Sequence, residues 1–524
     1  MRWKDMRRIS GLAAALVLSA IVLGLQICSG AYQADFDSNP DEPAHVVSSL
    51  MVHDYLASGS LAHPWEFATS YYVHYPKVAI LHWPPLFHLL EAIWMFAAGR
   101  TRAGLFSLQG FTGAALAVSV FLWLRREHGF WIAFCSAAVL ATTGLVQDAT
   151  NTVGPYLLLG LLSFWTAALF ARYLTTGQVR YAGWSALLGL AALGTHGRGA
   201  ALWMAPPIAL LLVKVTQMRI AAALLVVLAY LSLPKYLGQA HLSSPMSVIQ
   251  SGGEYAIQFE SALRWPVFVL ILIGIAVWFR AGGRKNATTV MIAFAISCWI
   301  FHSTVNVPIF QDFLITAAPA AIVLAAGGAS ALLRYLPPGS SWNRPVATAL
   351  VALFLWTAGS NIYGMQRKPS WGARRIVTDN QLYRDSQTVW LVAGTPTFEG
   401  GLIAETALRD VARQHIVLRA SKVLASSSWA GASYRMVFQD RSSVAAFLDQ
   451  AHVGWVLIQA NDGMPHIRQL DETMLSIAPA WRGEALSRQA PDVTIFKRVE
   501  PLPGDPKIEI DMRDKLGSVF RLHE

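Results

Sequence analysis

Long apolar runs separated by short basic loops occupy the first two-thirds of the chain. Runs at about 10–30, 103–124, 130–147, 153–172, 181–195, 199–213, 219–233, 265–280, 287–303, 309–330 and 346–364 predict membrane-spanning helices. Several fall short of the roughly 20 residues a full crossing takes, so their boundaries are loosely defined. The loops carry Arg125/Arg126, Arg172/Arg180, Lys214/Arg219, Arg280/Arg284/Lys285 and Arg334/Arg344. Placing all five on the inner side is self-consistent from Arg125 onward. Asp41, Asp148, His196, Arg198, the loop 234–262 and His302 then share the outer side. The apolar stretch 82–98 contains His88 and Glu91, and crossing there would invert everything downstream. It is therefore expected to be re-entrant or interfacial. Arg367, Lys368, Arg374 and Arg375 follow the last span on the outer side, which breaks the charge rule unless they bind lipid phosphates.

From about residue 365 the composition becomes that of a soluble domain. Short strands are predicted at 389–392, 416–418 and 454–458, helices at 402–413, 444–451 and 465–476, and a hairpin from 481–485 and 493–497. Alternating elements imply a small α/β layer. The expected fold is mainly α: a polytopic transmembrane helical bundle of about 11–13 spans with a C-terminal extracytoplasmic α/β domain. The domains divide as 1–364, whose first outer loop covers about 31–80, and 365–524. Without a glycine-rich phosphate loop, the second domain reads as a cap or acceptor-recognition module.

Composition agrees with a membrane protein. Only 14% of residues are charged and 54% are hydrophobic, with mean hydropathy +0.41, whereas soluble domains carry about a quarter charged residues. The net charge of +10 resides in orienting loops, which argues against nucleic acid as a partner. Cys28, Cys135 and Cys298 lie in apolar runs without disulfide or zinc spacing. The basic N-terminus and first apolar run also fit a signal peptide, but the many later spans favour an uncleaved first span.

Candidate chemistry concentrates after the first span. Asp41 and Glu42 precede Pro43, a good first-turn residue, and His45, Ser49 and His53 recur at helical spacing opposite Val47, Leu50, Met51 and Tyr55. That pattern predicts a short amphipathic helix lying on the bilayer. Its acids either cap it or do acid/base work, since two close carboxylates raise one proton affinity. Asp35-Phe36-Asp37 has DxD spacing, which makes Asp37 a rival base, and a divalent metal could draw on Asp37, Asp41 and His45. That divalent metal is the one cofactor the residues could hold, and the sequence does not imply it. Lys77 and His82 would come near Asp41 if their proline-rich loop folds back, while Tyr71, Tyr72 and Tyr75 suit an interfacial belt or a sugar-binding wall. In Thr195-His196-Gly197-Arg198-Gly199 the glycines allow close approach and Arg198 can grip phosphate. Asp148 and Asn151 form either a polar turn or part of the site; His302, Asn306 and Asp312 are weaker candidates.

The order of Pro40-Asp41-Glu42, His82-Trp83-Pro84-Pro85-Leu86, the Thr195–Gly199 break and the run Phe313–Gly328 resembles the GT-C glycosyltransferases. Its nearest likeness is to protein O-mannosyltransferases, lipid A aminoarabinose transferases and rhizobial lipopolysaccharide sugar transferases. The resemblance implies a polyprenyl-phosphate sugar donor, a lipid, glycan or protein acceptor, surrounding membrane lipids, and Asp41 as the catalytic carboxylate. Trp83, His196 and Gln311-Asp312-Phe313 depart from the pattern, and the last two remove cations. Arg198, Lys77 and the basic stretch after the last span remain to hold phosphate.

The expected function is transfer of a hexosyl or pentosyl group at the outer face of the cell (inner) membrane, with the site and C-terminal domain facing the periplasm or exterior. Asp41 with Glu42 would be catalytic, and His45, Lys77, His82, Asp148, His196 and Arg198 would bind substrate. A transporter or lipid flippase would show paired repeats and broken midplane helices, which the sequence does not display. A polysaccharide ligase or polymerase would share the donor and differ in acceptor.

Overall fold

The computed structural model describes residues 3–212, 245–280, 286–304, 311–337, 340–379, 381–426, 434–460, 463–484 and 492–522. The predicted span 219–233, the loop 234–262 up to residue 244, and Lys214, Arg219, Arg284, Lys285 and Asn306 lie outside the described residues.

Among the described residues six helices are long and apolar enough to cross a membrane: Ile9–Cys28, Arg102–His128, Tyr156–Thr176, Ala287–Thr304, Ala318–Tyr335 and Asn343–Tyr363. Two bent pairs raise the number to eight if each is one span. The chain is a multi-pass membrane protein. Phe130–Thr142 and Gly144–Thr150 meet at 55° because Thr143 is extended and its hydroxyl accepts the Val146 amide, ending one helix and capping the next. Val248–Leu263 and Trp265–Arg280 meet at 114°. Arg264 there is left-handed (φ 69°), and Pro266 disfavours helical backbone just before it. The run 181–195 is the 17-residue helix Val179–Thr195. The run 199–213 divides into a 3-10 turn, Gly197–Leu202, and the helix Ala205–Leu212, which carries Pro206 and Pro207 near its start.

The chain divides into two compact units: Met1–Ser29, Trp83–Phe87 and Phe106–Arg367; and Gly30–His82, His88–Leu105 and Lys368–Glu524. The first unit is helical, with a core that includes Leu116, Val139, Leu157, Ala321 and Leu324.

The second unit holds the sheet. Its strands are β1 (Val389–Ala393), β2 (Ile416–Arg419), β3 (Ala425–Ser426), β4 (Arg435–Met436), β5 (Trp455–Gln459), β6 (Trp481–Glu484), β7 (Val493–Arg498), β8 (Glu509–Asp511) and β9 (Val519–Arg521). The main sheet runs β2-β1-β5-β7-β6, with β1 parallel to β2 and β5 and with β7 antiparallel to β5 and β6. The inner strand β1, Val-Trp-Leu-Val-Ala, is buried throughout, as expected where both faces are covered. The predicted strands and closing hairpin all appear; the hairpin's turn, 485–491, lies outside the described residues. The connecting helix Pro396–Arg409 begins earlier than the apolar pattern suggested, because Thr395 accepts the Phe398 amide at 3.2 Å and Pro396 starts the first turn.

The first loop, residues 30–82, belongs to this second unit. Its helix Glu42–Ala57 does not lie on a surface with its polar side in water. Both sides are covered: His45 stacks on His88 with ring centres 5.3 Å apart, and His53 packs on Phe96 at 4.6 Å. The helix Leu86–Ala98 turns Leu89, Ile93 and Phe96 outward and buries His88 and Glu91, an inside-out polarity suited to apolar surroundings.

Candidate active site

Asp41 stands at the N-cap of the helix Glu42–Ala57, yet its side chain makes no capping bond. Asn39 does that work, its Oδ1 accepting from the amides of Asp41 and Glu42 at 2.9 Å each. The half-buried Asp41 carboxylate instead faces the charge of Lys77, which is 5% exposed. Burial pushes the Lys77 ammonium down to about 7, Arg419 and Lys422 add to the fall, and Asp41 and Glu399 oppose it. Gly400 on the helix Pro396–Arg409 makes room for this lysine. A Cβ there would stand 2.9 Å from Lys77 Cε and 3.1 Å from the Pro43 ring. Arg419 is held by Glu399, Nε donating to Oε2 at 3.1 Å, and reaches the Pro76 carbonyl at 3.5 Å.

Glu42 occupies a different environment. Its Oε1 accepts from Lys368 Nζ at 2.5 Å, both side chains being fully buried, and its Oε2 accepts the Ser38 amide at 2.8 Å. Lys368, expected among candidate phosphate cations, thus has its charge answered by Glu42. Asp35 accepts from Ser370 Oγ and from the amides of Trp371, Gly372, Ala373 and Arg374, capping the helix Ala373–Asp379. The DxD spacing therefore separates into an anchor and a candidate. Asp37 is 7% exposed, and its Oδ1 has no hydrogen-bond partner among the described residues. Burial, then Asp35, raises this carboxyl to about 7, with Glu42 and Glu405 adding and Lys368 opposing. Arg102 pairs with Glu405 and stacks over Phe36, its guanidinium 4.1 Å from the ring centre.

The other expected residues have surroundings of their own. His45 Nδ1 lies 3.1 Å from His88 Nε2. Among the described residues no group of three or more His, Cys, Asp or Glu is arranged to hold a metal, so Asp37, Asp41 and His45 form no such set. His82 sits at an exposed turn. Tyr71, Tyr72 and Tyr75 are neither a belt nor a sugar wall; they are buried, with Tyr75 donating to Asp410 at 2.9 Å and Tyr71 to Asp54 at 3.2 Å. Burial and the Asp410 charge raise the Tyr75 hydroxyl above its ordinary range, which keeps it a donor.

In the first unit, His196 ends the helix Val179–Thr195, and its Nδ1 accepts the Arg198 amide at 3.1 Å. Gly199 is required there, since a Cβ would fall 2.5 Å from the backbone of Ala192 and Leu193. This close return aims Arg198 over the Phe313 ring and within 5.9 Å of Tyr156. Phe313 and Tyr255 flank His302, with ring centres 5.4 and 5.3 Å from it. Asp148 is exposed and faces the like charge of Asp312. Asn151 accepts from Ser29 Oγ at 2.7 Å, tying the first span to the bent pair.

Sequence reasoning missed the Glu42–Lys368 and Arg102–Glu405 pairs. One signal was present: a basic stretch after the last span that the expected topology leaves at odds with the charge rule.

The fold matches known structures over most of its length. The apo structure of ArnT from Cupriavidus metallidurans, a lipid A aminoarabinose transferase, is 13% identical with TM-score 0.57, covering 94% of this chain and 98% of that one. The same enzyme bound to undecaprenyl phosphate matches at TM-score 0.56 and 14% identity, covering 92% and 97%. An oligosaccharyltransferase of Archaeoglobus fulgidus matches at TM-score 0.52 and 13% identity, covering 86% and 69%. No protein-family model and no curated protein sequence matches the chain. Both neighbours are GT-C glycosyltransferases, and this chain has the GT-C fold.

Proposed function

We propose that the protein transfers a sugar from a polyprenyl-phosphate donor to a hydroxyl of a lipid, glycan or protein acceptor at the outer face of the membrane. The observation that carries this reading is the juxtaposition, within one unit, of the helix-start carboxylate Asp41, which makes no capping bond, and a buried lysine, Lys77, that feels its charge. The GT-C fold supports it, as does the undecaprenyl phosphate held by one neighbour of that fold.

In the proposed step Asp41 accepts the acceptor's hydroxyl proton while that oxygen attacks the anomeric carbon. The bond from that carbon to the phosphate oxygen breaks, and polyprenyl phosphate leaves with the electron pair. Charged Lys77 stabilises the departing phosphate, and low local dielectric strengthens that effect. Glu42 and Lys368 hold the loop rather than react. The prenyl tail is accommodated by lipid and apolar helices, at roughly 0.8 kcal/mol per buried methylene.

The test is Asp41→Asn in the purified, correctly inserted protein, assayed for transfer from a synthetic polyprenyl-phosphate sugar. The expected result is loss of turnover by about a hundredfold or more, the span attributed to a positioned base, with donor binding retained. Turnover persisting in Asp41→Asn and vanishing in Asp37→Asn would move the base to Asp37.

A further inference from the structure

At the sharp bend between Val248–Leu263 and Trp265–Arg280, Arg264 is one of five non-glycine residues with positive φ among the described residues. Left-handed backbone is disfavoured for an arginine, and Gly or Asn would take it more cheaply. The conformation delivers the guanidinium to the end of the last span. Nε donates to Asn361 Oδ1 at 3.2 Å, and an Nη reaches the Ser360 carbonyl at 3.5 Å. A guanidinium has five N–H donors, so most meet no acceptor among the described residues. No carboxylate pairs with Arg264 among the described residues, Glu260 one turn earlier included.

Beside the guanidinium lies an open notch of about 610 Å³, lined by Arg264, Trp356, Gly359, Ser360, Tyr363 and Gly364. Trp265, Trp356 and Tyr363 are exposed here at the end of an apolar helix, the arrangement found at headgroup level. Asn361 is 6% exposed, its Oδ1 is taken by Arg264, and its Nδ2 has no partner among the described residues. Arg264 thus brings N–H donors that meet no carboxylate among the described residues to the edge of an apolar, aromatic-walled notch. That pairing matches a phosphate attached to an acyl chain.

We propose that this notch binds an anionic bilayer phospholipid, with its phosphate on Arg264, which Asn361 holds in place, and an acyl chain between Trp356 and Tyr363. The site is independent of the transfer reaction proposed above. Phosphatidylglycerol is the probe. The full-length protein is reconstituted in nanodiscs of phosphatidylcholine alone or mixed equally with phosphatidylglycerol, and retained lipid and melting temperature are measured. Wild type should retain phosphatidylglycerol preferentially and melt higher in the mixture.

Arg264→Asn suits the left-handed backbone, so it should fold at least as well in phosphatidylcholine while retaining phosphatidylglycerol about tenfold less, the loss of roughly one charged hydrogen bond. Gly359→Leu, whose Cβ meets nothing within 4 Å, should fill the notch with the same outcome. Equal retention of the two lipids by wild type, or undiminished preference in both variants, would overturn the proposal. Arg264-dependent binding of undecaprenyl phosphate alone would overturn it too, by assigning the notch to the donor.

Discussion

A lysine whose ammonium is pushed down to about 7 gives the proposed reaction a pH signature. Below that pH Lys77 is charged and can meet phosphate; above it the free enzyme holds a neutral amine. We expect kcat/KM to fall as pH rises through about 7, whereas the limb in kcat lies higher, because bound phosphate favours the proton. Lys77→Arg should remove that limb, and steady-state rates across pH check both. Stability carries the opposite sign. The folded protein binds fewer protons than the unfolded chain between about 7 and the ordinary 10.5, so stability rises with pH across that window. Lys77→Met should therefore abolish turnover yet melt higher than wild type at pH 6. Asp41 and Lys77 were legible as neighbours because proline-rich segments mark where a loop folds back. The separation of Asp41 from Glu42 was not legible. Adjacent in sequence, one stands outside its cap and the other belongs to an ion pair formed 326 residues away. Glu42→Gln leaves Lys368 buried without its anion, and by about 3 kcal/mol it should destabilise the fold in denaturant titrations. Adding Lys368→Met should recover most of that loss.

Among the elements, the helix Pro396–Arg409 tests how tightly the site is built. Gly400 and Gly401 are neighbours on it, and alanine at a helix interior normally gains about 1 kcal/mol over glycine. At Gly401 a Cβ meets Trp371 at 3.4 Å and Ala373 at 3.7 Å, ordinary contacts, so Gly401→Ala should be neutral or stabilising. At Gly400 it would press on Lys77 and Pro43 at 2.9 and 3.1 Å, and overpacking typically costs about 1–3 kcal/mol. Gly400→Ala should melt lower and displace Lys77, lowering kcat/KM more than Gly401→Ala does. The elements themselves were largely readable. β1 is an unbroken apolar run, β2 and β5 are apolar up to their last residues, Arg419 and Gln459, and the spans are long. The orientation of the helix Glu42–Ala57 was not, because a polar stripe looks alike whether it meets water or His88 and Phe96 on another helix. Its breaks were half visible: Pro266 marks the sharp bend, while the left-handed Arg264 before it carries no local signal.

At the scale of the whole molecule, the composition shift near residue 365 marks where spans give way to sheet, but compactness follows other lines. The C-terminal segment shares a unit with residues 30–82 and 88–105. The helix Pro396–Arg409 buries Phe398 through Ala407 without interruption, and part of that cover is the helix Glu42–Ala57. Charges are completed the same way. Glu405 takes Arg102, Asp410 takes Tyr75, and the carbonyls of Ala407 and Leu408 take Arg100, a cation at a helix C-terminus. A fragment 368–524 expressed alone would keep its sheet and lose these partners, leaving Glu405 buried without its cation and an apolar helix face in water. It should show native-like strand content yet bind hydrophobic dyes, and amides in 396–409 should exchange far faster than in the full chain. Adding a segment 30–105 in trans should restore protection. Full protection in the isolated fragment would mean that the helix is held by the sheet alone, with the segments 30–82 and 88–105 packed onto a self-sufficient domain.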